Sequence, residues 1–279
     1  MVQSRIIKRI LISTMPRSAS VFFSDFIAAL FRFEKLDPTF TGGFCPIPPE
    51  WDPYKLDQTY LNLRDGQVIF GHYHLTPEIR ILLDDDNLLV FYLHRDPRDM
   101  AVSAALYIKY VLTHQFLHPT FSRLSDADAI GLMLSGGIIP VKDLPYDTEG
   151  KGAEHVVFDG MKYYINVGYP WLLHPRVAHV RYEDFTKSPA ETMSNALELV
   201  GVQISKETIQ SVAEKKNFKN ATGGRCIGVE DKSSHFRKGI TGDYKNYFTD
   251  YHRALCKLII GEDLIRLGYE NGLNWSSEG

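Results

Sequence analysis

The stretch Arg5-Ile-Ile-Lys-Arg-Ile-Leu-Ile-Ser13 is mostly apolar and β-branched, and its last positions carry no charge. That pattern predicts a strand buried on both faces at its end. Thr14-Met-Pro-Arg-Ser-Ala-Ser20 follows directly. From Val21 to Phe31 the apolar residues at 22, 26, 29 and 30 have the spacing of a helix with one buried face. Strand, short loop and helix in that order open an α/β fold.

The same reading continues along the chain. Gln67–His72 predicts a second short strand. Leu88–Leu93 is an unbroken apolar run between the acidic turn Asp84-Asp85-Asp86 and the polar group His94-Arg95-Asp96-Pro97, which predicts a central parallel strand. Pro97 suits the first turn of a helix reaching about Leu112. Arg176–Arg181 predicts a further strand, and Ser188-Pro189 opens a helix over Ala190–Val200. A last helix is expected from Asp250 to Leu267, ending at Gly268. Two stretches break the periodicity. Residues 38–60 are rich in proline and glycine and predict a surface loop, and residues 117–165, with Gly136-Gly137 and the Pro140–Gly152 segment, read as an irregular lid. There is no repeat and no low-complexity tract. The expectation is one α/β domain over residues 1–279, a central parallel β-sheet flanked by helices.

Composition narrows the function classes. Apolar residues make up 44% and charged residues 23% of 279, which excludes a disordered, collagen-like or coiled-coil chain. Thirty-one basic residues against 34 acidic give a net charge of −3, so no global field favours nucleic acid or an anionic membrane, and neither is expected as a partner. An anion must therefore be held by a local cluster. No apolar run approaches the roughly 18 residues of a membrane span. The first residues are interrupted by Lys8-Arg9 and lack a small-residue cleavage site, so a cytoplasmic location is expected. Cys45, Cys226 and Cys256 are odd in number and widely spaced, which fits a reducing compartment. Asp84-Asp85-Asp86 reads as a solvated turn, and no metal is expected.

Three basic clusters stand out against that background. Thr14–Ser20 lies between a strand and a helix, where unsatisfied helix amides and the helix dipole favour an anion. Ser18 and Ser20 add hydroxyls, and Arg17 adds a bidentate fork. On this segment alone an ordinary capped helix with a solvated arginine explains the residues equally well. The Walker A pattern is absent, which disfavours a triphosphatase built on that loop. His94-Arg95-Asp96-Pro97-Arg98-Asp99 leaves the carboxyl end of a strand, where ligands bind in open α/β sheets, and Ser103 lies two turns into the next helix. A surface turn with internal salt bridges is the plainer alternative. Phe236-Arg237-Lys238-Gly239-Ile240-Thr241-Gly242-Asp243-Tyr244-Lys245 interleaves three cations with two glycines, allowing close backbone approach to a ligand.

In this order the three clusters resemble the cytosolic-type sulfotransferases, which use 3′-phosphoadenosine 5′-phosphosulfate as donor. Thr14–Ser18 resembles that family's 5′-phosphosulfate loop, and Arg95-Asp-Pro-Arg-Asp-Met-Ala-Val-Ser103 its 3′-phosphate segment. Phe236–Lys245 resembles its R-K-G-x-x-G-D-W-K loop, and Arg181-Tyr-Glu-Asp184 the segment after its fourth strand. The matches span residues 10 to 270, and the last loop is the most specific of them. The resemblance implies that Arg17, Ser18, Ala19, Ser20 and Val21, with their amides, hold the 5′-phosphosulfate. It implies that Arg95, Ser103, Arg237, Lys238 and Gly239 hold the 3′-phosphate. Phe22 and Phe218 match aromatics at the adenine, and Tyr182 a tyrosine near the nucleotide; for both phenylalanines core packing explains the residue as well.

Transfer of a sulfuryl group needs a base for the acceptor proton. Gly71-His72-Tyr73-His74 follows the second strand, and in extended chain residues 72 and 74 point to the same side, so spacing does not choose between them. The family order of glycine, histidine and a later proline favours His72 with Pro77, and His74 remains the alternative. Arg17 stands where lysine is usual, and Ala19 where glycine is usual. The family's dimer motif falls at Lys245, Thr249, Asp250 and Ala254, where two of its residues have changed, so a monomer or weak homodimer is expected. Phe40, Phe44, Trp51, Tyr54 and Tyr146, with Phe121, Met133 and Phe158, fall in the two loop regions, Phe116 borders the second, and together they suggest a partly apolar small-molecule acceptor, a hydroxyl or an amine. The rival readings are a small-alcohol kinase of related topology and a nucleotide-binding homologue without catalysis. A heparin- or nucleic-acid-binding module comes last, on charge.

Overall fold

Unbroken apolar runs become the inner strands of a parallel sheet. The computed structural model describes residues 5–36, 63–113, 117–140, 155–158 and 160–275. In chain order these form β1 (Arg9–Thr14), α1 (Ser20–Phe31), β2 (Glu34–Lys35), β3 (Gln67–Gly71), α2 (Pro77–Leu82), β4 (Leu88–His94) and α3 (Pro97–Tyr110). Then follow α4 (His118–Arg123), α5 (Asp126–Ser135), β5 (Gly137–Pro140), β6 (His155–Phe158), α6 (Gly160–Leu172), β7 (Val177–Arg181), α7 (Tyr182–Lys187) and α8 (Pro189–Leu199). The last are α9 (Lys206–Lys215), α10 (Phe218–Ala221), a 3-10 turn (Asp243–Asn246) and α11 (Asp250–Arg266).

The described residues fall into two compact units. The first comprises 5–36, 63–95 and 166–226. Its five strands lie in the order β2-β3-β1-β4-β7, every pairing parallel. β4, expected as a central strand, is flanked on both sides, by β1 and β7. Every one of its seven residues is buried, as a strand covered on both faces requires. One face of the sheet carries Ile10, Ile12, Val68, Phe70, Leu89, Phe91, Leu93 and Val180. These pack with Phe23, Phe26 and Ile27 of α1 and with Phe185, Met193 and Leu197 of α7 and α8. On the other face the Tyr92 ring stacks on Trp171 of α6, 6.0 Å away with a 6° interplanar angle. Gly168 makes that approach possible, since a Cβ there would fall 2.0 Å from the Tyr92 hydroxyl.

The second unit comprises 96–113, 117–140, 155–158, 160–165 and 227–275. Here residues 117–165 differ from expectation. The described part is not irregular: it holds two helices, α4 and α5, an antiparallel ribbon of β5 with β6 that pairs Ile138 with Val157, and the first residues of α6. Ser125 caps α5 by accepting from the Asp128 amide at 3.0 Å, and Ala129, Ile130, Met133 and Leu134 are buried at helical spacing. Of the glycine pair that suggested a loop, Gly136 caps the end of that helix and Gly137 opens β5. Phe158 of β6 meets Phe121 of α4 edge-on at 6.2 Å. The expectation for residues 38–60, and those for Phe40, Phe44, Trp51, Tyr54, Phe116 and Tyr146, lie outside the described residues, as does Cys45.

Elements α2, α6, α7 and α9 were not anticipated. α9, capped by Ser205, buries only Ile209 and Ala213 along its ten residues, too few apolar positions to stand out in the sequence. β1 starts at Arg9, later than expected, because Lys8 and Arg9 both donate their amides to the Asn87 carbonyl and Arg5 turns away to bond three other carbonyls.

Candidate functional site

In the first unit the loop after β1 turns sharply into the start of α1. Met15 donates its amide to the Leu93 carbonyl at 2.9 Å, which carries the β1–β4 ladder one residue past the strand. Arg17 and Ala19 then take left-handed backbone, with φ of 60° and 65°. Ala19 caps α1 with no side-chain hydrogen bond, and the Phe23 amide is the one that bonds back to the Ala19 carbonyl. The first-turn amides of Ser20, Val21 and Phe22 lie ahead of that bond, at the positive end of the helix dipole. Ser18 is fully buried, and its hydroxyl has no hydrogen-bond partner among the described residues. A buried polar group of that kind calls for a partner, a role that an anion bound at the helix start would fill.

The histidines follow β3, beside β1. His72 Nδ1 lies 2.9 Å from the Thr14 carbonyl and 3.0 Å from the Thr14 hydroxyl. A carbonyl oxygen only accepts, so Nδ1 carries the hydrogen and the neutral ring presents a bare lone pair at Nε2. Burial pushes the His72 pKa down. The bond to Thr14 opposes that shift and the nearby Arg17 charge reinforces it, and the net value lies below the ordinary range. Burial lowers His74 as well. Between them the Tyr73 carbonyl accepts from Ser13 Oγ at 3.2 Å and from Trp171 Nε1 at 2.9 Å, so the backbone joining the histidines is pinned from two elements.

Arg95, at the end of β4, is buried. Its Nη1 donates to the Arg17 carbonyl at 3.2 Å, and its guanidinium lies 4.4 Å over the Tyr182 ring. Arg95, Arg17, Tyr182 and the first-turn amides are thus gathered at the carboxyl ends of β1, β4 and β7. Phe22 is half-buried, edge-on to Phe185 at 6.1 Å, so part of its surface belongs to the core. Phe218 opens α10 with the Arg225 guanidinium 5.5 Å over its ring.

In the second unit Asp96 caps α3 by accepting from the Arg98 amide at 2.9 Å, with Pro97 in the first turn. Arg98 folds back on Asp96 at 2.7 Å, pairs with Glu270, and lies 4.3 Å over Tyr244 and 4.9 Å over Trp275. The internal salt bridge considered from sequence is therefore real, but it is buried rather than on the surface. Asp99 accepts from the Gly242 amide at 2.7 Å and the Tyr244 amide at 2.9 Å. Ser103 is buried further along the same helix.

Arg237 is also buried. It reaches Asp243 at 2.5 Å, Tyr247 at 3.1 Å and Glu230, and Lys238 reaches the other Asp243 oxygen at 2.7 Å. Burial works against the Arg237 charge, but Asp243 and Glu230 outweigh it and its pKa is raised. Asp243 goes the other way: burial alone would raise it, and Lys238, Asn246 and Arg237 hold it below its ordinary value. Gly239 takes φ of 70° beside these cations, a conformation suited to glycine.

Thr14, Asp96, Arg98, Asp99, Glu230 and Asp243 were not singled out as site residues. All but Glu230 stand inside the motifs that were, and only the pairing distances separate these supporting side chains from the rest.

A model of the sulfotransferase domain family matches residues 8–268. Flavonol 4′-sulfotransferase of Flaveria chlorifolia is 22% identical over 285 residues, 93% of this chain and 80% of that protein. Sulfotransferase 1A1 of Bos taurus is 31% identical over 85 residues, 27% of this chain and 28% of that protein. In three of the curated relatives the matched stretch spans between 28% and 36% of the relative's length. Among solved structures, mouse sulfotransferase SULT7A1 complexed with PAP superposes with a TM-score of 0.60 at 17% identity, covering 94% of this chain and 85% of that one. Retinol dehydratase in complex with androsterone and PAP gives 0.58 at 16%, covering 92% and 80%. At these identities the likeness is one of fold.

Proposed function

The chain belongs to the sulfotransferase domain family, and from that premise we propose that it moves a sulfuryl group from 3′-phosphoadenosine 5′-phosphosulfate to a hydroxyl, or an amine, of a small-molecule acceptor. The observation that carries this reading is the double role of Thr14. It opens the loop with the uncapped helix start and the buried Ser18 hydroxyl, and its carbonyl takes the Nδ1 hydrogen of His72. A base with Nε2 free of hydrogen is thereby tied to an anion-binding loop, the pair of parts that sulfuryl transfer needs.

His72 takes the proton from the acceptor hydroxyl at Nε2 as the acceptor oxygen bonds to sulfur. The sulfur–oxygen bond to the 5′-phosphate breaks in line on the far side, and its electron pair leaves with adenosine 3′,5′-bisphosphate. Arg17 and the amides of Ala19, Ser20, Val21 and Phe22 offset the charge that develops on the leaving phosphate, with Ser18 and Ser20 adding hydroxyl donors. Arg95, Ser103, Arg237, Lys238 and Gly239 are assigned to the 3′-phosphate, Phe22 and Phe218 to the adenine, and Tyr182 to the nucleotide's neighbourhood. No metal is required, because a sulfuryl group carries less charge than a phosphoryl group. His74 is the alternative base.

A single family match runs across both units, and one domain acting as a whole is the reading proposed. A monomer or weak homodimer in the cytoplasm is proposed with it; relatives include a protein named cytosolic sulfotransferase 3, of Arabidopsis thaliana, and no described helix is long and apolar enough to cross a membrane. The test is calorimetric titration with adenosine 3′,5′-bisphosphate and then with ATP plus Mg²⁺. Tight bisphosphate binding, followed by transfer of labelled sulfate that His72→Ala abolishes, is the expected result. Binding of ATP alone would replace this reading with the small-alcohol kinase.

A further inference from the structure

We propose that Asp99 is the positioning residue through which this protein recognises the 3′-phosphate of its donor; the inference rests on the sulfotransferase reading above. Asp99 occupies the first turn of α3 and is 1% exposed. Its two carboxylate oxygens accept from two amides of one turn, Oδ2 from Gly242 at 2.7 Å and Oδ1 from Tyr244 at 2.9 Å. Gly242 has φ of 71°, so the chain reverses there in a shape that the sequence permits and Asp99 fastens.

Asp243 stands between the two fastened amides and is 1% exposed. Its position is therefore set by the backbone that Asp99 holds. Its carboxylate in turn fixes Arg237 through Oδ2 and Lys238 through Oδ1, with Asn246 donating to Oδ1 at 2.9 Å. The order of control runs from Asp99 to the turn, from the turn to Asp243, and from Asp243 to both cations. A carboxylate suits the first link because two amides need two acceptor oxygens. Asparagine offers one, and turns an NH₂ group toward the other amide.

Removing this link should loosen the cations while leaving the 5′-phosphosulfate loop untouched, since that loop is built from other residues. The probes are adenosine 3′,5′-bisphosphate and adenosine 5′-monophosphate, titrated calorimetrically into the full chain. Asp99→Asn is expected to weaken the bisphosphate by about tenfold or more, the scale of a lost hydrogen bond to a charged group. Monophosphate affinity should stay within about twofold, and kcat at saturating donor should stay close to wild type while the donor KM rises. Asp243→Asn acts one link further along and should show the same selective loss, which keeps the test decisive if Asp99→Asn folds poorly. Equal weakening of both nucleotides would mean general loosening and would overturn the proposal. So would unchanged bisphosphate affinity in either variant. A wild-type protein that binds the bisphosphate no better than the monophosphate would instead remove the sulfotransferase reading itself.

Discussion

Arg95 Nη1 donates to the carbonyl oxygen of Arg17 at 3.2 Å while the same guanidinium lies 4.4 Å over the ring of Tyr182. One side chain at the end of β4 thus clasps the left-handed turn of the anion loop and packs on the first residue of α7. A planar, multi-donor cation does both at once; a point charge on a flexible stem does not.

Arg95→Lys keeps the charge but loses the fork and the stacked face. The expected outcome is bisphosphate affinity lower by about tenfold or more, with monophosphate affinity lowered as well because the Arg17 turn loses its clasp. Calorimetry on the two nucleotides checks it. Full affinity in the lysine variant would mean that charge alone is enough at this position.

Ala19 holds φ of 65° at the start of α1, where the family usually has glycine. An L-residue is strained in left-handed backbone by about 1–2 kcal/mol, and part of that is returned through the lower entropy of alanine in the unfolded chain, about 0.4–1 kcal/mol. Ala19→Gly should therefore stabilise the protein by up to about 1.6 kcal/mol in urea unfolding, the largest difference of those two effects. A loss of stability would show that the turn is relaxed with alanine in place.

Burial and the Arg17 charge keep His72 below its ordinary pKa despite the Thr14 bond. In its proposed role as base His72 acts when neutral, so kcat/KM should hold as pH falls through about 6.5, the unperturbed value, and decline only at lower pH. His72→Ala should lower kcat by about a hundredfold or more with nucleotide binding intact. The same loss in His74→Ala, with His72→Ala active, would reassign the base.

The sheet was legible because strands buried on both faces are unbroken apolar runs, as Leu88–Leu93 is. Helix α5 was less so: Gly136-Gly137 at its end masks the spacing of Ile130, Met133 and Leu134. Among the candidate site residues, Arg95 and Arg237 could be picked out by residue type and motif. The bond from Asp99 to the Gly242 amide spans 143 positions of chain. No local propensity reports a pairing at that distance; it arises from how α3 and the later loop are brought together.

His94, the last residue of β4, is buried. Burial, then Arg181 and His179, push its pKa down to about 3. The unfolded chain, with an ordinary value near 6.5, takes up the proton first as pH falls. The contribution of His94 to stability is therefore complete above about pH 6.5 and is lost on descending toward the folded value, at about 1.4 kcal/mol per pH unit. Between pH 7.0 and 5.0 that amounts to about 2 kcal/mol. His94→Phe keeps a ring in the stack with Tyr92, now 6.4 Å apart at 8°, and removes the titration. Guanidinium unfolding at the two pH values should show the variant losing about 2 kcal/mol less than the wild type. Equal losses in the two proteins would mean that His94 finds its proton, or an equivalent one, inside the fold.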